Sequence, residues 1–122
     1  SDGIMKDFID LMLKNIATET NVGFYAEKLC ISKQYLSLIV KNKTRVSIGT
    51  ILSSMRTEVA TRLLREPDLT IQEIAEKLSF SDQSSFGKFF KKHTGVSPLK
   101  YRQTLRKTLL TLRPKQGYVQ KD

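Results

Sequence analysis

The sequence predicts an all-α protein: two helix-turn-helix units joined by a long linker helix, about seven helices in all. Three observations carry that reading. The tetrapeptide Ala-Glu-Lys-Leu occurs at 26–29 and again at 75–78, inside two stretches that match over some 24 residues. Apolar residues recur at three- and four-residue spacing, the period of a helix, and no stretch demands a strand. Between the two copies lies one continuous amphipathic segment.

The first helix is expected over residues 4–17, with Ile4, Phe8, Leu11, Met12 and Ile16 on one face, packed against the first unit. In that unit Phe24, Tyr25, Ala26 and Leu29 belong to a supporting helix, and Leu36, Ile39 and Val40 form the core stripe of the next. Ser47 can cap the linker helix over 48–65, whose apolar positions are Ile48, Ile51, Leu52, Met55, Val59, Ala60, Leu63 and Leu64. Glu66-Pro67-Asp68 ends it, because the residue before proline is driven out of the helical region.

In the second unit Thr70-Ile71-Gln72-Glu73 is a capping box. Ile71, Ile74, Ala75 and Leu78 give that helix its buried face. The turn is Ser79-Phe80-Ser81-Asp82, and Phe86, Phe89 and Phe90 are the buried stripe of the helix that follows. Gly95 suits a left-handed C-terminal cap. Ser97-Pro98, a cap with proline at the first helical position, starts a closing helix through about Leu109. The chain thus divides into 1–47, the first helix and first unit; 48–66, the linker; 67–110, the second unit and closing helix; and 111–122, a flexible tail.

The two units align with a slip confined to the turn. Residues 26–32 match 49 positions on. From Leu36 the partner lies 50 on: Leu36 with Phe86, Ile39 with Phe89, Val40 with Phe90, Lys41 with Lys91 and Val46 with Val96. Turns tolerate an inserted residue and helices do not, so two copies of one folded unit should differ there. Ala26 and Ala75 are small enough to let the two helices of each unit cross closely.

The net charge is +9, unevenly spread. Residues 1–20 carry two lysines against four acids, whereas 21–66 carry eight basic residues against three. Such a field favours polyanions. No apolar run spans a bilayer, and the first apolar stretch is too interrupted by charge to be a signal peptide. The single cysteine, Cys30, excludes an intrachain disulfide and fits a reducing cytosol. It occupies the slot of Ser79 and is expected to be a small packed residue. The start at Ser1-Asp2-Gly3 suits a fragment of a longer protein.

The only histidine, His93, has no thiol or carboxylate at a telling spacing. One His and one Cys supply no dedicated metal site, and no phosphate-binding glycine loop is present. The expectation is a non-enzyme without catalytic residues, cofactor or metal. A membrane-surface role is disfavoured because the basic residues flank core stripes.

The linker's eighteen expected residues make a rod of about 27 Å. Successive major grooves on one face of DNA are about 34 Å apart. Two second helices held at the ends of that rod could enter neighbouring grooves, with some bending of the DNA. The repeat would then supply two reading heads in one chain.

Residues 69–102, LTIQEIAEKLSFSDQSSFGKFFKKHTGVSPLKYR, closely resemble the signature of AraC/XylS-like transcription regulators, and the resemblance extends over about 20–107. It implies sequence-specific binding of double-stranded DNA, transcription regulation including activation, and a cytoplasmic, nucleoid-associated bacterial protein. It also implies two partners, RNA polymerase and a sensor or dimerisation domain of the same full-length protein.

Carried over by position, the base-reading residues are Gln34, Ser37, Leu38 and Lys41 on the first reading helix, and Gln83, Ser84, Gly87 and Lys88 on the second. Glutamine can bond adenine, lysine favours guanine, and serine reads either edge weakly. Ser32, Lys43, Arg45, Lys91, Lys92, Lys100 and Arg102 are the phosphate candidates, and Tyr101 is expected to pack. Leu38 stands where many relatives are polar; it cannot hydrogen-bond a base but could touch a thymine methyl. Arg45 replaces the glycine found at Gly95. Gly87 either lets the backbone approach DNA closely or leaves that position silent. The alternative is a helical interaction module that docks a sensor domain or polymerase without reading DNA.

Overall fold

The computed structural model describes residues 2–120, with side chains as far as residue 112. Regular structure among these residues is helical throughout: α1 (Asp2–Asn15), α2 (Val22–Lys28), α3 (Lys33–Thr44), α4 (Ile48–Leu64), α5 (Ile71–Lys77), α6 (Gln83–Thr94) and α7 (Pro98–Gln120). None of these helices is long and apolar enough to cross a membrane.

Short polar side chains start the helices by accepting the free amides of the first turn. Ser32 accepts from the Tyr35 N–H at 3.0 Å, Ser47 from Thr50 at 3.3 Å, and Ser97 from Lys100 at 3.1 Å. At α5 the expected box is complete: the Glu73 N–H donates to the Thr70 hydroxyl at 3.0 Å, and the Thr70 N–H to the Glu73 carboxylate at 2.8 Å. Asp82 caps α6, accepting from the Ser85 N–H at 2.7 Å.

The duplication is visible in the backbone. Cys30 and Ser79, 49 residues apart, both take the left-handed conformation, with φ of 59° and 60°. The next amide in each unit, Ile31 or Phe80, donates back to the carbonyl of Ala26 or Ala75, at 3.0 and 2.9 Å. That turn throws the Cys30 side chain outward. Cys30 is therefore exposed, not the packed residue expected from its slot. At the far end of each unit Arg45 and Gly95 cap in the left-handed region, and their amides reach the Lys41 and Lys91 carbonyls at 2.8 Å each.

Two cores form, one per unit. Phe8, Met12, Ile16, Tyr25, Ala26, Leu36, Val40, Ile48 and Leu52 make the first. Ala60, Leu64, Ile74, Ala75, Leu78, Phe86 and Phe90 make the second. Burying each of the larger of these side chains contributes about 1.5–3 kcal/mol. The amino-terminal half of α4 belongs to one core and its carboxy-terminal half to the other, and Val59 packs against both. Ala17, just past α1, also touches the second core. Tyr25 buries its ring and donates its hydroxyl to the Glu19 carbonyl at 2.6 Å; burial, with Glu19 nearby, pushes its pKa up to about 12.

Two expectations are corrected at the closing helix. Arg102 is only 8% exposed and spends its donors on the chain that leaves α4. Its Nε bonds the Leu64 carbonyl at 3.1 Å, and its terminal nitrogens bond those of Leu69 at 2.6 Å and Glu66 at 3.1 Å. A guanidinium buried and bonded to three backbone carbonyls inside the protein is not presented to a phosphate. The second correction concerns the end of the chain. Helix α7 does not stop near Leu109 but runs to Gln120. Leucine, arginine and lysine are strong helix formers, and neither glycine nor proline intervenes before Pro114. The flexible tail expected over 111–122 falls mostly on residues whose side chains lie outside the described ones.

Candidate nucleic-acid interface

Burial of Leu36, Ile39 and Val40 fixes which side of α3 is free. Gln34, Leu38 and Lys41 are exposed, Leu38 at 56%, and Ser37 is half-buried. With Val22 and Lys33 these four line a shallow open cleft. On α6 the buried Phe86 and Phe90 leave Gln83, Ser84 and Lys88 exposed and Gly87 half-buried. Gly87 and Lys88 lie three and four residues beyond Ser84, and Lys91 four and three beyond them, so the four form one stripe. All eight sequence-predicted reading positions thus lie on two equivalent helix faces, one per unit.

The phosphate candidates divide. Ser32, Arg45, Lys91, Lys92 and Lys100 are exposed. Lys43 is also exposed but pairs with Asp2 of α1, which holds the Asp2 carboxyl below its usual range, and this pairing turns Lys43 toward the first helix. Arg102 is internal, as described. The Asp82 carboxyl is held below its usual range by the Ser85 amide it accepts, with a smaller effect from Lys88. His93 lies against the Phe89 ring, centroids 4.5 Å apart.

Sequence reasoning missed Arg56. Its guanidinium lies over the Phe80 ring, 4.0 Å from the centroid, and 5.4 Å from that of Phe89. A terminal nitrogen donates to the Leu78 carbonyl at the end of α5. Burial pulls its pKa down. This one side chain ties the linker helix to the turn that presents α6. A signal was available. The buried residues of α4 fall at 48, 52, 60 and 64, and Arg56 is the missing member of that four-residue series. Arg102 likewise follows the buried Pro98 by four.

Comparison with known proteins gives a consistent answer. A family model described as "Helix-turn-helix domain" matches residues 25–104. The uncharacterized HTH-type transcriptional regulator YtdP of Bacillus subtilis is 32% identical over 103 residues, covering 84% of this chain and 13% of that protein. The Msm operon regulatory protein of Streptococcus mutans is 37% identical over 84 residues, covering 69% of this chain and 30% of its own length. The chain therefore spans less than a third of both relatives. Among solved structures, the C-terminal domain of AraT, a response regulator from Geobacillus stearothermophilus, superposes with a TM-score of 0.76 at 34% identity, covering 83% of this chain and 84% of that one.

Proposed function

The chain belongs to the AraC-type helix-turn-helix family of transcription regulators, and on that premise we propose that α3 and α6 are its two reading helices, entering successive major grooves of one duplex. The observation that carries this reading is the equivalence of the two helices. Each follows a left-handed turn and ends in a left-handed cap; α3 buries Leu36, Ile39 and Val40, α6 buries the equivalent Phe86 and Phe90 with Phe89 only half-buried, and each leaves the same side free. A single reading head would need only one such unit.

Sequence-specific binding of double-stranded DNA and transcription regulation follow from the family. Gln34, Ser37, Leu38 and Lys41 read one half-site, and Gln83, Ser84, Gly87 and Lys88 the other. Lysine and glutamine supply hydrogen bonds to guanine and adenine edges, and Leu38 supplies an apolar contact to thymine. Ser32, Arg45, Lys91, Lys92 and Lys100 hold the phosphates. These contacts position the protein and carry most of the salt dependence.

RNA polymerase and a sensor or dimerisation domain of the same polypeptide are the proposed protein partners, with the chromosome in the bacterial cytoplasm as the place of action. Apolar side chains exposed away from α3 and α6 suit such partners: Ile9 and Leu13 on α1, and Leu109 and Leu110 on α7.

Selection of random duplexes by the chain, followed by footprinting, tests the reading. The expected result is one sequence with two half-sites about one helical turn apart. Recovery of unrelated duplexes, bound equally well at every salt concentration, would refute it.

A further inference from the structure

Gly87 is the sole glycine of α6, and nothing inside the protein asks for it. A Cβ added there would meet no atom within 4 Å, and the residue does not occupy the left-handed region. Glycine in a helix interior weakens the helix, because it loses more backbone freedom on folding than any other residue. Position 87 therefore makes α6 less stable without relieving any internal clash. The corresponding position of α3 is Ser37, so the unit does not require glycine either.

What distinguishes the position is its place on the stripe of Ser84, Lys88 and Lys91. Inside α6 the N–H and C=O of Gly87 belong to the helical hydrogen-bond ladder. The bare position therefore offers a partner only an apolar Cα. Among base edges in the major groove, the apolar group is the C5-methyl of thymine.

We propose that Gly87 is a specificity-determining residue that acts through the side chain it lacks: α6 seats so deeply in the groove that a thymine methyl fills the space a Cβ would take. This rests on α6 being a base-reading helix. The test uses the duplex selected by the whole chain, with Gly87→Ala compared against the natural sequence.

The variant should melt higher, by about 4 °C, because alanine is the better helix former. It should nevertheless bind the selected duplex about tenfold more weakly, a loss of the size of one mismatched base pair. Replacing thymines by deoxyuridine one at a time in the half-site facing α6 should weaken the natural chain at one position and leave the variant indifferent there.

Equal affinity of the two proteins for the selected duplex would overturn the proposal. So would a lowered melting temperature in the variant, or a half-site in which no thymine methyl matters. If the natural chain selects no duplex at all, it is the base-reading role of the two helices that fails, which is a different result.

Discussion

Lys88 and Arg102 are both cations carried by the second unit, and burial gives them opposite roles. Lys88 is exposed on the free face of α6, whereas Arg102 is buried and bonded to three carbonyls. Lys88→Ala should weaken binding by about 1–3 kcal/mol and relax base preference at one position of one half-site. Binding to a panel of single-base variants measures this, and an unchanged preference would remove Lys88 from the reading set. Arg102→Met should cost roughly 3 kcal/mol of stability, because it leaves buried carbonyls without donors. Measured well below its melting temperature, that variant should keep the salt dependence of the natural chain. A phosphate contact would instead lower the slope by about one.

The elements owe their ends to single side chains, and two of those caps are carboxylates. Glu73 is held below its ordinary value of 4.5, chiefly by the Thr70 amide, and Asp82 below 3.8, chiefly by the Ser85 amide. The folded state favours the charged form of each. Their contribution is therefore complete above the ordinary carboxylate range and is lost as pH falls through the depressed folded values. Thermal melts between about pH 6 and pH 2 should show the midpoint falling across that window. Asp82→Asn should keep the cap of α6 and flatten part of the fall, since asparagine caps as well as aspartate and does not titrate. A melt profile identical to that of the natural chain would refute the role of Asp82. The two C-terminal caps differ in another way. Gly95 adopts its left-handed φ of 89° freely, whereas Arg45 holds φ of 65° against the Cβ crowding that glycine avoids.

At the level of the whole molecule, α4 sets the arrangement. Its seventeen residues make a rod of about 26 Å that enters both cores. Val59 packs on each side of the junction, and Arg56 ties the rod to the turn before α6. The net charge of +9 adds a field that acts on the whole complex. With about 6–10 phosphates engaged, the logarithm of affinity should fall against the logarithm of salt with a slope of about −5 to −9. A slope near −2 would mean that one unit at most is in contact. Titrations of one labelled duplex across a range of salt concentrations decide between the two.

The order of helices, their amphipathic faces and the duplicated turn were readable along the chain, because periodicity and caps act over three or four residues. So were the free sides of α3 and α6, since a helix that buries Phe86 and Phe90 must turn Ser84 and Lys88 outward. The fates of Arg56, Arg102 and Cys30 were not. Each is settled by groups twenty or more residues away, or by the direction in which a left-handed turn throws a side chain. Arginine on a helix looks alike whether it meets solvent or the carbonyl ends of another helix. Long-range packing alone separates those environments, since a guanidinium leaves water only where distant groups receive it, the Leu64, Glu66 and Leu69 carbonyls for Arg102, the Leu78 carbonyl and the Phe80 ring for Arg56.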